Sequence, residues 1–217
     1  GKFLKFDASK PDWADRDRFV LSAGHGSMLL YALLNLTGHA GMGMEELKRF
    51  RQLHSPAAGH PEWGEHPAIE TTTGPLGQGL ATAIGMALAE RMMAARYGKS
   101  LVDHRTWVIA GDGCLMEGIS HEAASLAGHL GLDRLVCIFD DNAITIDGST
   151  SMSCSDDVIG RFRSYGWHVI DAGEPGDDLD AIESVLRSAE AHTGSPVLVR
   201  LKTHIGFPSP DLTDSHE

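Results

Sequence analysis

The sequence predicts an α/β fold, a parallel β-sheet with helices on both faces. Two short apolar runs rich in β-branched residues, 106–110 and 135–139, predict buried strands. The stretch between them, 117–130, has the length and composition of a helix. Strands that alternate with helices in this way are typical of βαβ units, whose parallel sheets are covered on both sides.

The other predicted elements continue this alternation. Strands are expected at 19–22, 167–170 and 196–201. Helices are expected at 28–36, where Ser27 would be the N-cap, and at 45–53, 80–97, 156–165 and 179–192. Since no repeat or linker interrupts the sequence, we expect a single domain over residues 1–217.

The charge of the chain argues against several classes of partner. Its 18 Lys and Arg residues against 30 Asp and Glu residues give a formal net charge of −12. An acidic protein repels nucleic acid and anionic membranes, so neither is an expected partner. No apolar run reaches the roughly 18–20 residues of a membrane span, and residues 1–19 do not have the pattern of a secretory signal. The three widely spaced cysteines include no Cys-x-x-Cys pair, so we expect free thiols and a cytoplasmic location.

Polar residues follow two predicted strands at the point where each strand ends. Gly111, Asp112 and Gly113 follow the first strand, and Asn142 follows the next. Because the carboxyl ends of neighbouring parallel strands meet at one edge of a sheet, we expect Asp112 and Asn142 to lie side by side. Gly-Asp-Gly alone is ordinarily a turn. Carboxylate, amide and backbone oxygens together suit Mg²⁺ or Ca²⁺, completed by phosphate oxygens, and the glycines admit a phosphate close to the backbone.

Two strings around these residues resemble the transketolase family. One is Gly-Asp-Gly-Cys-Leu-Met-Glu-Gly-Ile-Ser from Gly111, and the other is Asp-Asp-Asn-Ala-Ile-Thr-Ile-Asp-Gly over residues 140–148. The resemblance implies the thiamine-diphosphate-binding fold. It also implies that Asp112 and Asn142 bind Mg²⁺ through their side chains and Ile144 through its carbonyl, with Ca²⁺ as a possible substitute. Gly113 and Asn142 would contact the diphosphate of thiamine diphosphate.

Three further segments resemble the same family. Residues 21–26 contain a Ser-x-Gly-His motif, which implies that His25 contacts the cofactor. Residues 72–79, Thr-Thr-Gly-Pro-Leu-Gly-Gln-Gly, imply that Gly74, Pro75 and Leu76 contact the organic part of the cofactor. Gly-His-Pro-Glu at residues 59–62 places His60 at the reacting centre, where an imidazole with a pKa near neutrality can exchange protons.

The resemblance implies an enzyme that moves a two-carbon ketol group from a ketose phosphate to an aldose phosphate, in the pentose phosphate pathway or the Calvin cycle. It also implies a homodimer, with the cofactor held between this domain and a pyrimidine-binding domain from a second subunit or a separate chain. On this interpretation the chain is the pyrophosphate-binding domain, without the extreme N-terminal segment and the pyrimidine-binding and C-terminal domains. Alone it is not expected to be active, and His204 and His216 are left without a role.

Two other interpretations remain open at this point. The Gly-Asp-Gly and Asn142 pattern also occurs in other thiamine-diphosphate enzymes, namely the first component of 2-oxo acid dehydrogenases and deoxyxylulose phosphate synthase. His25, His60 and the string at 140–148 favour transketolase. The chain could also be an inactive module that serves only in dimerisation.

Overall fold

The predicted α/β architecture is confirmed by the structure, a computed structural model that describes residues 2–146, 148–176 and 178–214. The strands are β1 (Arg18–Leu21), β2 (Thr106–Gly111), β3 (Leu135–Asp141), β4 (Ile144–Thr145), β5 (Gly148–Ser149), β6 (His168–Asp171) and β7 (Val197–Lys202). The helices are α1 (Ser27–Leu36), α2 (Met44–Lys48), α3 (Gln78–Tyr97), α4 (Asp112–Met116), α5 (Gly118–Leu130), α6 (Val158–Ser164) and α7 (Leu179–Ala191). Five strands form one parallel sheet in the order β1-β2-β3-β7-β6, and β4 and β5 form a separate antiparallel hairpin.

Helices cover both faces of the sheet. Successive side chains of a strand point to opposite sides, and the central strands carry apolar side chains on both, so each face is buried against helices. One face carries three register neighbours of β2, β3 and β7, namely Val108, Cys137 and Leu198. They are buried in one core with residues of α3, α5 and α6. The other face carries the preceding register neighbours, namely Trp107, Val136 and Val197. These pack against Ala189 and its neighbours on α7.

The start of the long helix α3 is fixed against the end of strand β1. Ser22, directly after β1, accepts a hydrogen bond of 3.0 Å from the backbone N–H of Leu80 to its Oγ. A Cβ on Gly79 would lie 2.5 Å from the Cα of Ser22, so only glycine permits this approach. Gly77, the residue before α3, has a φ of 79°, which also favours glycine. The glycine-rich segment at 74–79 therefore lies at the carboxyl edge of the sheet.

Two local predictions were wrong. Ser27 is not the N-cap of α1, because it lies inside the first turn and its hydroxyl donates instead to the carbonyl of Gly59 at 2.9 Å. The helix predicted at 45–53 ends at Lys48. Arg51 has a φ of 62°, a left-handed conformation that a helix cannot contain. The short helix α4 and the β4–β5 hairpin were not predicted.

None of the helices in the described residues is both long enough and apolar enough to cross a bilayer. Asp147 and His216, which belong to the motif at 140–148 and to the C-terminal end, lie outside the described residues.

Candidate functional site

The structure brings Asp112 and Asn142 together at the carboxyl edge of the sheet. Gly111, the last residue of β2, is in register with Asp140 of β3, so the residues that follow both strands meet. One oxygen of the Asp112 carboxylate accepts the backbone N–H groups of Asn142 and Ala143, each at 3.2 Å. Thirty residues separate Asp112 from Asn142 along the chain, which shows that a single strand–helix–strand step suffices to join them.

The loop after β3 is held in a fixed local conformation around Asn142. Ala143 has a φ of 59°, and the side-chain oxygen of Asn142 accepts the backbone N–H of Ile144 at 3.0 Å. Ile144 begins the β4–β5 hairpin, in which the hydroxyl of Thr145 donates to the carbonyl of Gly148 at 3.0 Å. The Asp112 carboxylate therefore holds the backbone at 142–143, and the Asn142 side chain holds the backbone N–H of the next residue but one, Ile144.

The half-buried Asp112 carboxylate lies near other negative charges. Burial raises the pKa of its carboxyl to about 6, and the neighbouring carboxylates of Asp141 and Asp140 add to the rise, against the two backbone N–H groups that lower it. Asp141 is paired with the guanidinium of Arg200 at 2.6 Å, whereas the described residues offer Asp112 no cationic partner. A cation bound at this place would supply the missing positive charge.

The oxygen donors at this edge are a mixed set. The described residues contain no group of three or more His, Cys, Asp and Glu side chains suited to a metal. The candidate ligands are one carboxylate, from Asp112, one amide oxygen, from Asn142, and one backbone carbonyl, from Ile144. A hard cation such as Mg²⁺ commonly takes few protein ligands of this kind, together with phosphate oxygens and water.

Backbone segments of the predicted cofactor site approach one another closely. We call the turn Gly24–Gly26, residues 74–76 and Gly113 the cofactor cradle. A Cβ on Gly24 would lie 2.7 Å from the backbone nitrogen of Gly74, and a Cβ on Gly113 would lie 2.9 Å from the side chain of Leu76. The cradle therefore continues from the turn that contains His25 to the residue next to Asp112.

His60 lies beside the cradle. A Cβ on Gly74 would lie 3.4 Å from the imidazole of His60, so this ring packs against residue 74. His25 and Pro75 are exposed, and Leu76 is half-buried. Thr73, which is 2% exposed, has a buried hydroxyl without a hydrogen-bond partner in the described part of the chain. Every predicted site residue thus lies along one continuous path from His25 and His60 to Asp112 and Asn142.

The whole chain matches one protein family. The model described as "Transketolase, thiamine diphosphate binding domain" matches residues 1–217. The chain belongs to this family.

Transketolases of bacteria are close relatives of the chain. Transketolase 1 of Vibrio cholerae is 56% identical over 217 residues, which are 99% of this chain and 32% of that protein. The transketolase of Rhodobacter capsulatus is 57% identical over 214 residues, which are 98% of this chain and 31% of that protein. The chain therefore spans about a third of the length of these relatives.

Solved transketolase structures share the fold. The transketolase of Pichia stipitis in complex with sedoheptulose 7-phosphate has a TM-score of 0.94 and 48% identity, covering 98% of this chain and 32% of that one. The transketolase of Leishmania mexicana has a TM-score of 0.94 and 46% identity, covering the same shares of both chains. The thiamine-diphosphate-binding fold implied by the sequence is confirmed.

Sequence reasoning missed several residues of this transketolase domain that lie around His60. A cleft of about 810 Å³ opens beside the His60 loop, and its lining includes Arg51, Gly59 and Glu62. The hydroxyls of Ser27 and Tyr31 reach the loop from α1. No sequence pattern signals these contacts, because they depend on the path of the loop through space.

Proposed function

We propose that this domain holds the diphosphate and the divalent cation of thiamine diphosphate in an enzyme that transfers a two-carbon ketol group from a ketose phosphate to an aldose phosphate. The observation that carries the proposal is the contact between the Asp112 carboxylate and the loop that begins at Asn142. Membership of the transketolase family supplies the reaction class.

Asp112, Asn142 and the carbonyl of Ile144 would hold Mg²⁺, and Ca²⁺ could take its place. The uncompensated charge around Asp112 supports this assignment, because a chain with a net charge of −12 otherwise repels a diphosphate. Gly113 and Asn142 would contact the diphosphate, and His25 would contact the cofactor. The close packing of Gly113 against Leu76, where a Cβ would lie 2.9 Å from the leucine side chain, supports a cradle that continues from residues 74–76 to the residue beside Asp112.

Gly74, Pro75 and Leu76 would contact the organic part of the cofactor. When bound, thiamine diphosphate supplies the stabilised carbanion that the transfer requires. The chain's own residues would bind and orient the cofactor and the substrate. Asp112 and Asn142 would fix the diphosphate end and the cradle would fix the rings. His60 would accept a proton from a substrate hydroxyl or donate one to a substrate oxygen. The position of His60 against Gly74 supports this last role.

The remaining parts of the assignment are also proposals. The domain would be the pyrophosphate-binding domain of a homodimeric, cytoplasmic enzyme, and a pyrimidine-binding domain from the second subunit or a separate chain would complete the cofactor site. The span of the chain, about a third of its relatives, supports this division. The relatives reported above are all transketolases, which favours ketol transfer over the chemistry of 2-oxo acid dehydrogenases and deoxyxylulose phosphate synthase.

Calorimetry tests the proposal on the complete enzyme that contains this domain. Thiamine diphosphate is titrated with and without Mg²⁺ into the wild type, Asp112→Ala and the control Asp180→Ala, which removes an exposed carboxylate of α7. We expect Mg²⁺-dependent binding by the wild type and the control, and a loss of at least about 100-fold in affinity for Asp112→Ala. Equal binding by all three proteins would contradict the assignment. Transfer is then assayed with a ketose phosphate and an aldose phosphate, and with pyruvate as the contrasting substrate.

A further inference from the structure

The backbone of the loop that carries His60 is held at almost every carbonyl. The carbonyl of Ala57 accepts the N–H of Arg51 at 2.9 Å, and that of Pro61 accepts the N–H of Thr73 at 3.1 Å. Between them, the carbonyl of Ala58 accepts the hydroxyl of Tyr31 at 2.9 Å, and that of Gly59 accepts the hydroxyl of Ser27 at 2.9 Å. The side chain of His60 itself is exposed.

The two side-chain donors share one helix and are fully buried. Ser27 and Tyr31 are four residues apart on α1, so they lie on the same face of that helix, and both have an exposure of 0%. Burial raises the pKa of the Tyr31 hydroxyl to about 12, so the hydroxyl stays protonated and remains a donor near neutral pH. Both hydrogen bonds are therefore made in the interior of the domain, away from solvent.

The same helix begins immediately after the turn that contains His25. Ser27 follows the turn Gly24–Gly26 directly, and Gly24 packs against Thr73 and Gly74. The His60 ring also packs against Gly74. Helix α1 thus connects the His25 turn to the His60 loop by two hydrogen bonds, and both the turn and the loop contact Gly74.

We propose that Ser27 and Tyr31 are positioning residues that set the place of the His60 imidazole relative to His25 and the cofactor cradle. The inference rests on the proposed function, which gives His60 its part in the reaction. The hydroxyls are buried and donate to backbone carbonyls of the loop. They act through the carbonyls that directly precede His60, and a small displacement of a reacting group is enough to slow catalysis strongly.

A double-mutant cycle in the complete enzyme tests this role. Tyr31→Phe and Ser27→Ala remove one hydroxyl each and keep the shape of the core, and both are made alone and combined with His60→Ala. We expect each single variant to lower kcat/KM roughly tenfold, mainly through kcat, with unchanged affinity for thiamine diphosphate and Mg²⁺. In the His60→Ala background we expect neither substitution to lower kcat/KM further. Losses that multiply with that of His60→Ala, or wild-type kinetics for both single variants, would overturn the inference.

A readout independent of activity separates this inference from the proposed function. Hydrogen exchange of the amides of Arg51 and Thr73, which donate to the loop carbonyls of Ala57 and Pro61, should accelerate in Tyr31→Phe and Ser27→Ala. It should not accelerate in the control Tyr165→Phe, which removes a hydroxyl that contacts His121 at 3.3 Å. Unchanged exchange at these two amides would overturn the positioning role even if the transfer reaction is established. Faster exchange together with wild-type kcat/KM for His60→Ala would instead contradict the catalytic role of His60 and, with it, this inference.

Discussion

The carboxylate of Asp112 lies 3.2 Å from the backbone nitrogen of Asn142, although 30 residues separate the two along the chain. The contact joins the ends of β2 and β3 and closes the carboxyl edge of the sheet at the place where open α/β sheets bind ligands. It places the half-buried Asp112 carboxylate near the carboxylates of Asp140 and Asp141. The repulsion among these charges destabilises the protein without a cation and favours the binding of one.

Asp112→Asn should stabilise the metal-free domain while it weakens metal binding. Asparagine keeps an oxygen that can accept the N–H groups of Asn142 and Ala143, but it removes the repulsion from Asp140 and Asp141. We expect the free energy of unfolding in EDTA to rise by about 1 kcal/mol, the size of gain that relief of active-site strain commonly gives. Denaturant unfolding measures this change, with Asp180→Asn as the control. A less stable variant in EDTA would show that Asp112 is a structural residue.

Gly24→Ala should disturb the cofactor cradle. The new Cβ would lie 2.6 Å from the hydroxyl oxygen of Thr73 and 2.7 Å from the backbone nitrogen of Gly74, so one of the segments must move. We expect a loss of about 1–3 kcal/mol in stability and weaker binding of thiamine diphosphate. The control is Gly43→Ala, where a Cβ meets no atom within 4 Å. Thermal unfolding and calorimetry of both variants check the prediction, and equal behaviour of the two would refute it.

Two glycines at the start and middle of α3 should respond in opposite directions to alanine. Gly77 has a φ of 79°, and its Cβ would lie 2.8 Å from the Cβ of Glu117, so Gly77→Ala should destabilise the domain by at least about 2 kcal/mol. Gly85 lies within the helix with open space around it, so Gly85→Ala should stabilise by up to about 1 kcal/mol. Melting temperatures of both variants provide the comparison. A stabilising Gly77→Ala would contradict the packing of the segment at 74–79 against α5.

His66 should make the domain less stable in mild acid. Burial lowers the pKa of its imidazole below the ordinary value of 6.5. Its Nδ1 accepts the N–H of Ala68 at 3.1 Å, and its Nε2 donates to the carbonyl of Ala40 at 3.0 Å, a pattern that only the neutral ring provides. The unfolded chain binds this proton more readily, so the stabilisation is complete above about pH 6.5 and is lost as the pH falls towards the folded-state pKa.

Denaturant unfolding of the wild type and of His66→Gln measures this effect between about pH 7.5 and about pH 5.5, one unit either side of an ordinary histidine pKa. We expect a shallower loss of free energy of unfolding with falling pH in the variant. His39, whose pKa burial also lowers, leaves a residual slope. The exposed His129 provides the control, and His129→Gln should retain the slope of the wild type. If the free energy of unfolding fell equally with pH in His66→Gln and the wild type, His66 would not contribute to the loss of stability in acid.

The sequence predicts the part of the site that depends on topology. Asp112 and Asn142 each follow a strand, and strands joined by one strand–helix–strand step are commonly neighbours, so the spacing predicts their proximity. The position of β7 between β3 and β6 was not predictable, because hydrophobic periodicity indicates strands but not their order.

The parts of the site that depend on loop paths were not predictable. Ser27 has the residue type of an N-cap, yet its hydroxyl donates to Gly59, since the tertiary contact competes with the local one. Arg51 ends the predicted helix early by adopting a positive φ that its residue type does not favour. Residues 112–116 form a helix where Gly-Asp-Gly suggests only a turn. At Ser27 a contact with a distant segment overrides the local preference.

The most direct test of the account is a crystal structure of the complete enzyme with thiamine diphosphate and Mn²⁺, whose anomalous signal locates the cation. We expect one anomalous peak beside the diphosphate, with the Asp112 carboxylate, the Asn142 amide oxygen and the Ile144 carbonyl at about 2.0–2.6 Å from it. Bound cofactor with its cation held by other residues, or with no cation near Asp112, would contradict the central claim.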